Sequence, residues 1–179
     1  MIISASRRTD IPAFYSQWFF NRIKEGYVLV PNPFNPKMIS KVSLHPAVVD
    51  CIVFWTKNPA PMIDKLDHLQ DYKYYFQFTL NPYGEKLENN LPSIDKRIDI
   101  FKRLSDKIGK EKVIWRYDPI LTNEEYDVSS IRRHSPKLPT DLKTIPKSVC
   151  WDLLTITSIS APQSASSTYS RCEKRRLKK

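Results

Sequence analysis

Four times along this chain, a short apolar run ends abruptly in a cluster of polar residues. The four junctions are MIISAS then RRTD (1–10), VVDCIVF then WTKN (48–58), YYFQFTL then NPYG (74–84), and VIW then RYDP (113–119). Runs of this length predict β-strands, and the amphipathic stretches between them predict helices. Strands that alternate with helices indicate a parallel sheet, and α/β proteins build their sites at the carboxyl edge of such a sheet.

The pattern therefore predicts an α/β fold, either a (β/α) barrel or an open parallel sheet. A complete eight-stranded barrel takes about 250 residues, whereas this chain has 179. As a barrel it would be a partial one, of about five mostly parallel strands with intervening helices, followed by an irregular carboxyl-terminal tail. A partial barrel exposes a strand edge and an apolar face, so we expect a marginally stable chain that aggregates or needs a partner.

Three helices and two further strands follow from periodicity and end signals. Asp10 is a good N-cap for a first helix, which Gly26 ends before a strand at Tyr27. A second helix starts near Pro61 and a third covers 93–108. Met38 to Leu44 is a candidate edge strand, and the run from Val149 to Ile159 is either a strand or irregular. The apolar stripe of the first helix is predicted to contain Ile11, Phe14, Tyr15, Trp18, Phe19 and Ile23.

Composition changes near Val128, where we place a boundary between a barrel domain (1–128) and an atypical tail (129–179). The first part holds 18 basic and 16 acidic side chains, and the tail holds 11 basic and 3 acidic. Serine and threonine supply 15 of the 51 tail residues, and the apolar periodicity is lost there. We interpret the tail as disordered or translated out of frame; a lineage-specific extension is the alternative.

Cysteine, histidine and charge patterns exclude several classes of function. The three cysteines (Cys51, Cys150, Cys172) and three histidines are widely spaced, so no metal site is predicted. The net charge of +10 comes mostly from the tail, which makes nucleic-acid binding a weak expectation. No secretory signal and no run of about 20 apolar residues occurs; we expect a cytoplasmic protein without membrane contact, of undetermined oligomeric state.

Five separated motifs resemble those of the bacterial domain-of-unknown-function family 1848. They are ISASRRTDIPAFYSQWF, GYVLVPNPFNP, VVDCIVFWTKNPAPM, YYFQFTLNPYG and VIWRYDPI, all within residues 1–128. The resemblance implies a barrel of the radical-SAM type, similar in layout to the spore photoproduct lyase group. It also implies S-adenosylmethionine and a 4Fe–4S cluster as cofactors. The cysteine cluster of the family's longer chains is missing here, so we expect an inactive fragment of an enzyme of unknown substrate.

Two alternatives to that function remain open at this point. The first is a module that binds an anionic metabolite or a nucleotide without catalysis, and the second is a nucleic-acid-binding protein. Iron, ligand-binding and salt-dependence measurements would separate the three.

Most of the candidate site residues follow the predicted strands, and two of them, Gln77 and Thr79, lie within one. Lys57 and Asp118 are the candidate catalytic groups, Lys57 as a base, Schiff-base former or anion ligand, and Asp118 as a ligand of a ribose or an amine. Arginine binds carboxylates and phosphates bidentately, and Arg116 is a candidate clamp for the carboxylate of S-adenosylmethionine. The other candidate cofactor-binding residues are Arg7, Arg8, Thr56, Asn58, Gln77, Thr79 and Asn81.

Each of these assignments has a structural alternative. Arg7 or Arg8 can instead pair with Asp10, for which we favour the helix cap, and Arg116 can simply pair with Asp118. Gln77, Thr79 and Asn81 alternate with apolar residues, which predicts a polar face that lines a ligand cavity. A solvent-facing antiparallel strand would produce the same alternation.

Overall fold

The computed structural model of the chain describes residues 1–81, 83, 87–122 and 149–155, and of residues 120–122 and 149–155 the backbone alone. The chain divides into two compact units, Met1–Gln77 and Phe78–Lys179. The predicted tail other than 149–155 lies outside the described residues, as do Pro82 and Gly84 of the third junction.

The first unit contains four strands, three helices and the beginning of a fifth strand. Its elements are β1 (Ile2–Ser4), α1 (Ile11–Phe14), α2 (Ser16–Glu25), β2 (Tyr27–Pro31), β3 (Ile39–Ser43), β4 (Cys51–Thr56), α3 (Ala60–Ile63), a 3₁₀ turn (Leu66–Leu69) and β5 (Tyr74–Thr79), which continues into the second unit. β1 and β4 pair in parallel, with Ile3 opposite Ile52. Because a helical crossover joins these two parallel strands, the predicted α/β class is confirmed.

The core of the first unit forms around β4. Ile52 and Phe54 are fully buried, and the Phe54 ring stacks on Phe76 of β5 at a centroid distance of 4.8 Å. Phe19 of α2 meets the same ring edge-on at 5.2 Å. A fully buried side chain of this size contributes about 1.5–3 kcal/mol, so these three rings tie α2 to the sheet. The second predicted helix is realised as α3 and the 3₁₀ turn, which bury Met62, Ile63, Leu66 and Leu69.

The first predicted helix is divided at Tyr15, and its predicted apolar stripe is partly wrong. Tyr15 has φ −130°, outside helical values, so the residues of α2 are rotated relative to those of α1. Phe14 is consequently 67% exposed, and Phe19 is 4% exposed. Gly26 ends α2 as predicted, with φ 78° in the left-handed region that favours glycine.

The strand predicted at Tyr27–Val30 lies outside the main sheet. β2 pairs antiparallel with β3, with Leu29 opposite Lys41, in a separate two-stranded sheet. Only seven residues separate β2 from β3, and a parallel connection needs a dozen or more. The candidate edge strand at Met38–Leu44 is therefore confirmed as β3, the second strand of a hairpin.

The second unit contains the end of β5, α4 (Ile94–Ile108), a 3₁₀ turn (Lys110–Lys112), β6 (Val113–Thr122) and β7 (Val149–Thr155). The predicted third helix is confirmed as α4, whose Phe101 ring packs edge-on against Phe78 at 5.4 Å. The main sheet has the strand order β1-β4-β5-β6-β7. The predicted count of about five strands is thus correct, but β7 takes the place that the hairpin strand β2 was expected to fill.

β6 continues through a proline. The strand includes Pro119, whose peptide bond with Asp118 is cis, and pairs in parallel with β7 as far as Thr122. The pairing is interrupted between Tyr117 and Ile120, where two residues of β6 stand opposite one of β7. A proline lacks the N–H that a ladder needs, and a bulge accommodates it.

Near the end of the chain, Val149–Thr155 form a strand. The prediction of an irregular tail is therefore wrong over these residues, and the alternative prediction of a strand is confirmed. β1 and β7 are the terminal strands of the sheet order, whereas closure into a barrel stays a prediction.

Candidate functional site

In the first unit, the Asp10 carboxylate joins the polar residues that follow β1 and β4. Its Oδ1 accepts the backbone N–H of Ala13 at 3.0 Å, which caps α1, and its Oδ2 accepts the backbone N–H of Lys57 at 2.8 Å. The Thr56 hydroxyl also donates to this carboxylate. Burial raises the pKa of Asp10 above its usual value, and these hydrogen bonds oppose that rise. The cap favoured for Asp10 is confirmed.

The chain between β4 and α3 is shaped by short side-chain hydrogen bonds. Thr56 is buried, and its Oγ1 accepts the backbone N–H of Asn58 at 3.0 Å. The Asn58 Oδ1 in turn accepts the backbone N–H of Ala60 at 3.3 Å. Such bonds are what threonine and asparagine supply in turns. Lys57 is half-buried, with its backbone held by Asp10. Ligand contacts of these three residues stay predictions.

Arg7 and Arg8 are both exposed. The guanidinium of Arg8 donates from Nη1 and Nη2 to the carbonyl oxygen of Pro31, each at 3.3 Å, and so ties the turn after β1 to the end of β2. Within residues 1–81, neither arginine pairs with Asp10, so that alternative is wrong. Anion binding by the two arginines stays a prediction.

In the second unit, Asn81 extends the pairing of β5 with β6 beyond the last strand residue. Its Nδ2 donates to the carbonyl oxygen of Asp118 at 2.8 Å, and its Oδ1 accepts the backbone N–H of Asp118 at 3.1 Å. One residue earlier, the Leu80 N–H donates to the Arg116 carbonyl at 3.1 Å. Asn81 is fully buried, so its amide replaces a peptide group in the ladder and holds the main chain of Asp118.

Arg116 and Asp118 form an ion pair through Nη2 and Oδ2, as the structural alternative predicted. Their side chains are 12% and 29% exposed, so the pair is shielded but reachable from solvent. The hydroxyl of Tyr83 donates to the Pro119 carbonyl at 2.7 Å. The backbone around the pair is therefore held by two side chains, Asn81 and Tyr83.

A buried ion pair in the second unit was missed by the sequence reasoning. Arg97 of α4 donates from Nη1 to Glu88 Oε2 at 2.8 Å, and the two side chains are 2% and 6% exposed. Tyr117 is fully buried, and its pKa is raised by burial, by the Tyr83 hydroxyl and by the Glu88 charge, in that order. The available signal was the position of Arg97, four residues before Phe101 on the apolar face of α4.

Gln77 and Thr79 belong to different units. Gln77 is half-buried at the end of the first, and Thr79 is buried at the start of the second. Because Thr79 and Asn81 are buried, the solvent-facing alternative is wrong for these two residues. Lining of a ligand cavity by these residues stays a prediction.

The described side chains do not fit a 4Fe–4S cluster. Such clusters are held by cysteine thiolates, and the described side chains include one cysteine, Cys51, at the amino end of β4. Burial raises the pKa of its thiol, which disfavours the thiolate. The described residues contain no group of three or more histidine, cysteine, aspartate or glutamate side chains placed to hold a metal ion.

Binding of S-adenosylmethionine stays a prediction. Its amino-acid part carries a carboxylate and an ammonium, which match Arg116 and Asp118 in charge.

Among the described helices, none has the length and apolar character to cross a membrane.

Comparisons with known proteins identify the family. No match to this chain was found among the curated proteins or among the solved structures. One family model, described as a domain of unknown function (DUF1848), matches residues 2–177. The match begins at β1 and extends well past the five motifs, which end at Ile120. The chain therefore belongs to the DUF1848 family.

Proposed function

We propose that the second unit binds a small metabolite through an amino-acid-like pair of charges, a carboxylate and an ammonium. The observation that carries the proposal is the shielded Arg116–Asp118 ion pair on a main chain held by Asn81 and Tyr83. The carboxylate binds the Arg116 guanidinium, and the ammonium binds the Asp118 carboxylate.

Charge pairing favours a zwitterionic ligand over a simple anion. An anion that reaches Arg116 also meets the like charge of Asp118, 29% of whose side chain is exposed. A zwitterion replaces one ion pair with two and leaves no charge unmatched. Because both side chains are partly withdrawn from water, each new pair is stronger than on an open surface.

The held backbone favours binding for a second reason. Ordering flexible groups on association costs free energy, and a site that is already ordered avoids that cost. Asn81 pairs with both peptide groups of Asp118, and Tyr83 holds the next carbonyl. The acidic side chain is thus presented in one position before a ligand arrives.

The resemblance to radical-SAM-type barrels makes S-adenosylmethionine the first ligand to test. When bound to an iron–sulfur cluster, that cofactor would supply an organic radical, with one electron coming from the reduced cluster. The cluster does not fit the described side chains, so the proposal covers binding and assigns no reaction step. The inactive-enzyme interpretation is consistent with such binding.

Calorimetric titration with four probes tests the proposal. S-Adenosylmethionine, S-adenosylhomocysteine and methionine carry the amino-acid part, whereas methylthioadenosine lacks it. We expect the first three to bind and methylthioadenosine to bind at least about tenfold more weakly. Arg116→Gln and Asp118→Asn should each weaken the three by at least about tenfold.

Arg103→Gln on α4 is the matched control and should leave the affinities unchanged, because Arg103 is an exposed arginine of the same unit. Circular dichroism establishes that each variant is folded. Arg116→Lys, which keeps the charge but loses the planar fork, should fall between wild type and Arg116→Gln. Equal binding of methylthioadenosine, unchanged affinity in Arg116→Gln, or absence of binding by all four probes would each refute the proposal.

A further inference from the structure

A cavity of about 260 Å³ lies within the first unit, among β1, α2 and the β2–β3 hairpin. It is larger than the cavity of about 150 Å³ that suffices for benzene in an engineered protein core. Its wall is apolar apart from two residues, Ser4 and Arg22. The apolar part comes from the two valines of β2, Val42 of β3, Trp18 and Phe19 of α2, and the first residues of the chain.

Arg22 is the one charged side chain in that wall. Its Nε–H is buried, and within the described part of the chain it has no hydrogen-bond partner. Met1 also lines the cavity, but its ammonium is already bonded to the Val48 carbonyl and paired with Asp50. A buried donor on a charged group is costly to leave unsatisfied, so the guanidinium is the group that a ligand would complete.

We propose that this cavity binds a small monoanionic amphiphile, a carboxylate joined to a compact apolar body such as a medium-chain fatty acid or an arylalkanoate. The carboxylate accepts from the Arg22 guanidinium, whose planar fork suits a carboxylate. The apolar body lies among the valine, Trp18 and Phe19 side chains, as in other small-molecule sites with an apolar lining and one placed polar group.

Charge and size favour this ligand over other occupants. A neutral hydrocarbon would fill the space and leave the Arg22 donor unsatisfied. A polypeptide segment would bring backbone N–H and C=O groups that need partners, which an apolar wall does not supply. A carboxylate at one end of an apolar body matches both parts of the wall.

The experiment uses matched acid and alcohol ligands. Octanoate and 3-phenylpropionate are titrated against the full chain beside octanol and 3-phenylpropanol. Calorimetry and tryptophan fluorescence are the readouts, and Trp18 is one of the four tryptophans of the chain. We expect each acid to bind at least tenfold more tightly than its alcohol. Arg22→Gln should reduce acid binding to the level of the alcohol, whereas Lys24→Gln, an exposed basic residue of the same helix, should change nothing.

A second variant separates loss of binding from loss of fold. Val42→Phe fills the cavity and should abolish binding of both ligand types, with thermal denaturation confirming that the chain is folded. The site uses no residue of the second unit, so Arg116→Gln should leave acid binding intact. Equal affinities for acid and alcohol, unchanged acid binding in Arg22→Gln, or a concentration-dependent dimer in sedimentation that excludes both ligands would overturn the proposal.

Discussion

The Oδ2 atom of Asp10 lies 2.8 Å from the backbone nitrogen of Lys57 and accepts its hydrogen across 47 positions of sequence. The other carboxylate oxygen caps α1. One side chain therefore starts a helix and also fixes the exit of β4, where Thr56 and Lys57 lie. The turn after β1 and the turn after β4 should respond together when this carboxylate is removed.

Asp10→Ala should destabilise the first unit by about 2–3 kcal/mol. Loss of an N-cap costs about 1 kcal/mol, and a buried donor left without its acceptor costs about 1–3 kcal/mol. Urea denaturation followed by circular dichroism measures the change. Asp71→Ala, an exposed aspartate of the same unit, should cost less than about 0.5 kcal/mol. Equal effects of the two substitutions would contradict the role of Asp10 in joining the two turns.

The same carboxylate should make stability depend on acid pH. Burial raises the pKa of Asp10 in the folded chain above its usual 3.8, so folding favours the protonated form. The resulting stabilisation is fully present below the usual pKa and is lost as pH rises through the raised folded-state value.

Asp10→Asn lacks this titration. The free energy of unfolding of wild type minus that of Asp10→Asn should therefore decrease between about pH 3 and pH 7. Urea denaturation of both proteins at several pH values measures it. A difference that increases with pH would show a lowered pKa and contradict the dominance of burial.

The division of the first helix at Tyr15 predicts unequal effects of two like substitutions. Phe19→Ala should cost about 3–5 kcal/mol because the buried ring packs on Phe20 and Phe54. Phe14→Ala should cost less than about 1 kcal/mol, since that ring is largely exposed. Thermal or urea denaturation of the two variants decides the matter. Similar losses of stability in the two variants would contradict the division at Tyr15 and support the continuous apolar stripe that periodicity predicts.

Periodicity located the elements well and their local irregularities poorly. The α4 helix has a long apolar face and clear end signals, and it was predicted with nearly its observed bounds. Tyr15 interrupts the first helix because its φ angle is not helical. No residue type at that position indicates an interruption. Pro119 cannot donate to a ladder, yet β6 continues through it, because a bulge in the pairing with β7 accommodates the proline.

The buried pair of Arg97 and Glu88 predicts a strong coupling. Removal of either partner leaves an uncompensated buried charge, so Arg97→Leu and Glu88→Leu should each cost about 3–5 kcal/mol. The double variant should be less destabilised than the sum of the two single variants, because neither charge then remains buried alone.

A double-mutant cycle by urea denaturation measures this coupling. Lys96→Leu, the exposed neighbour of Arg97, serves as the control and should be close to neutral. Additive effects of Arg97→Leu and Glu88→Leu would mean that the two charges do not stabilise each other.

For the candidate site residues, the sequence predicted the location along the strands better than the hydrogen-bond or ion-pair partner. The sequence placed Thr56 and Asn81 at strand ends because polar residues follow apolar runs there, whereas Asp118, expected to follow a strand, lies within β6. It could not reveal that the Asn81 amide pairs with the peptide groups of Asp118, since hydrogen bonds between residues 37 positions apart leave no periodic trace. Arg97 was readable in principle as a charge on an apolar helix face, but its partner Glu88 was not.

The bulge between Tyr117 and Ile120 gives β6 one residue more than β7. This extra residue predicts where chains of this family should differ in length. From Trp115 to Tyr117, each residue of β6 pairs with one residue of β7. Between Tyr117 and Ile120, two residues of β6 lie opposite a single residue of β7. When one residue is gained or lost at that point, a small change in the bulge can preserve the pairing register on either side. The same change a few residues earlier would turn every following side chain to the opposite surface of the sheet. Natural insertions and deletions should therefore collect at Asp118–Pro119 and avoid the three residues before it.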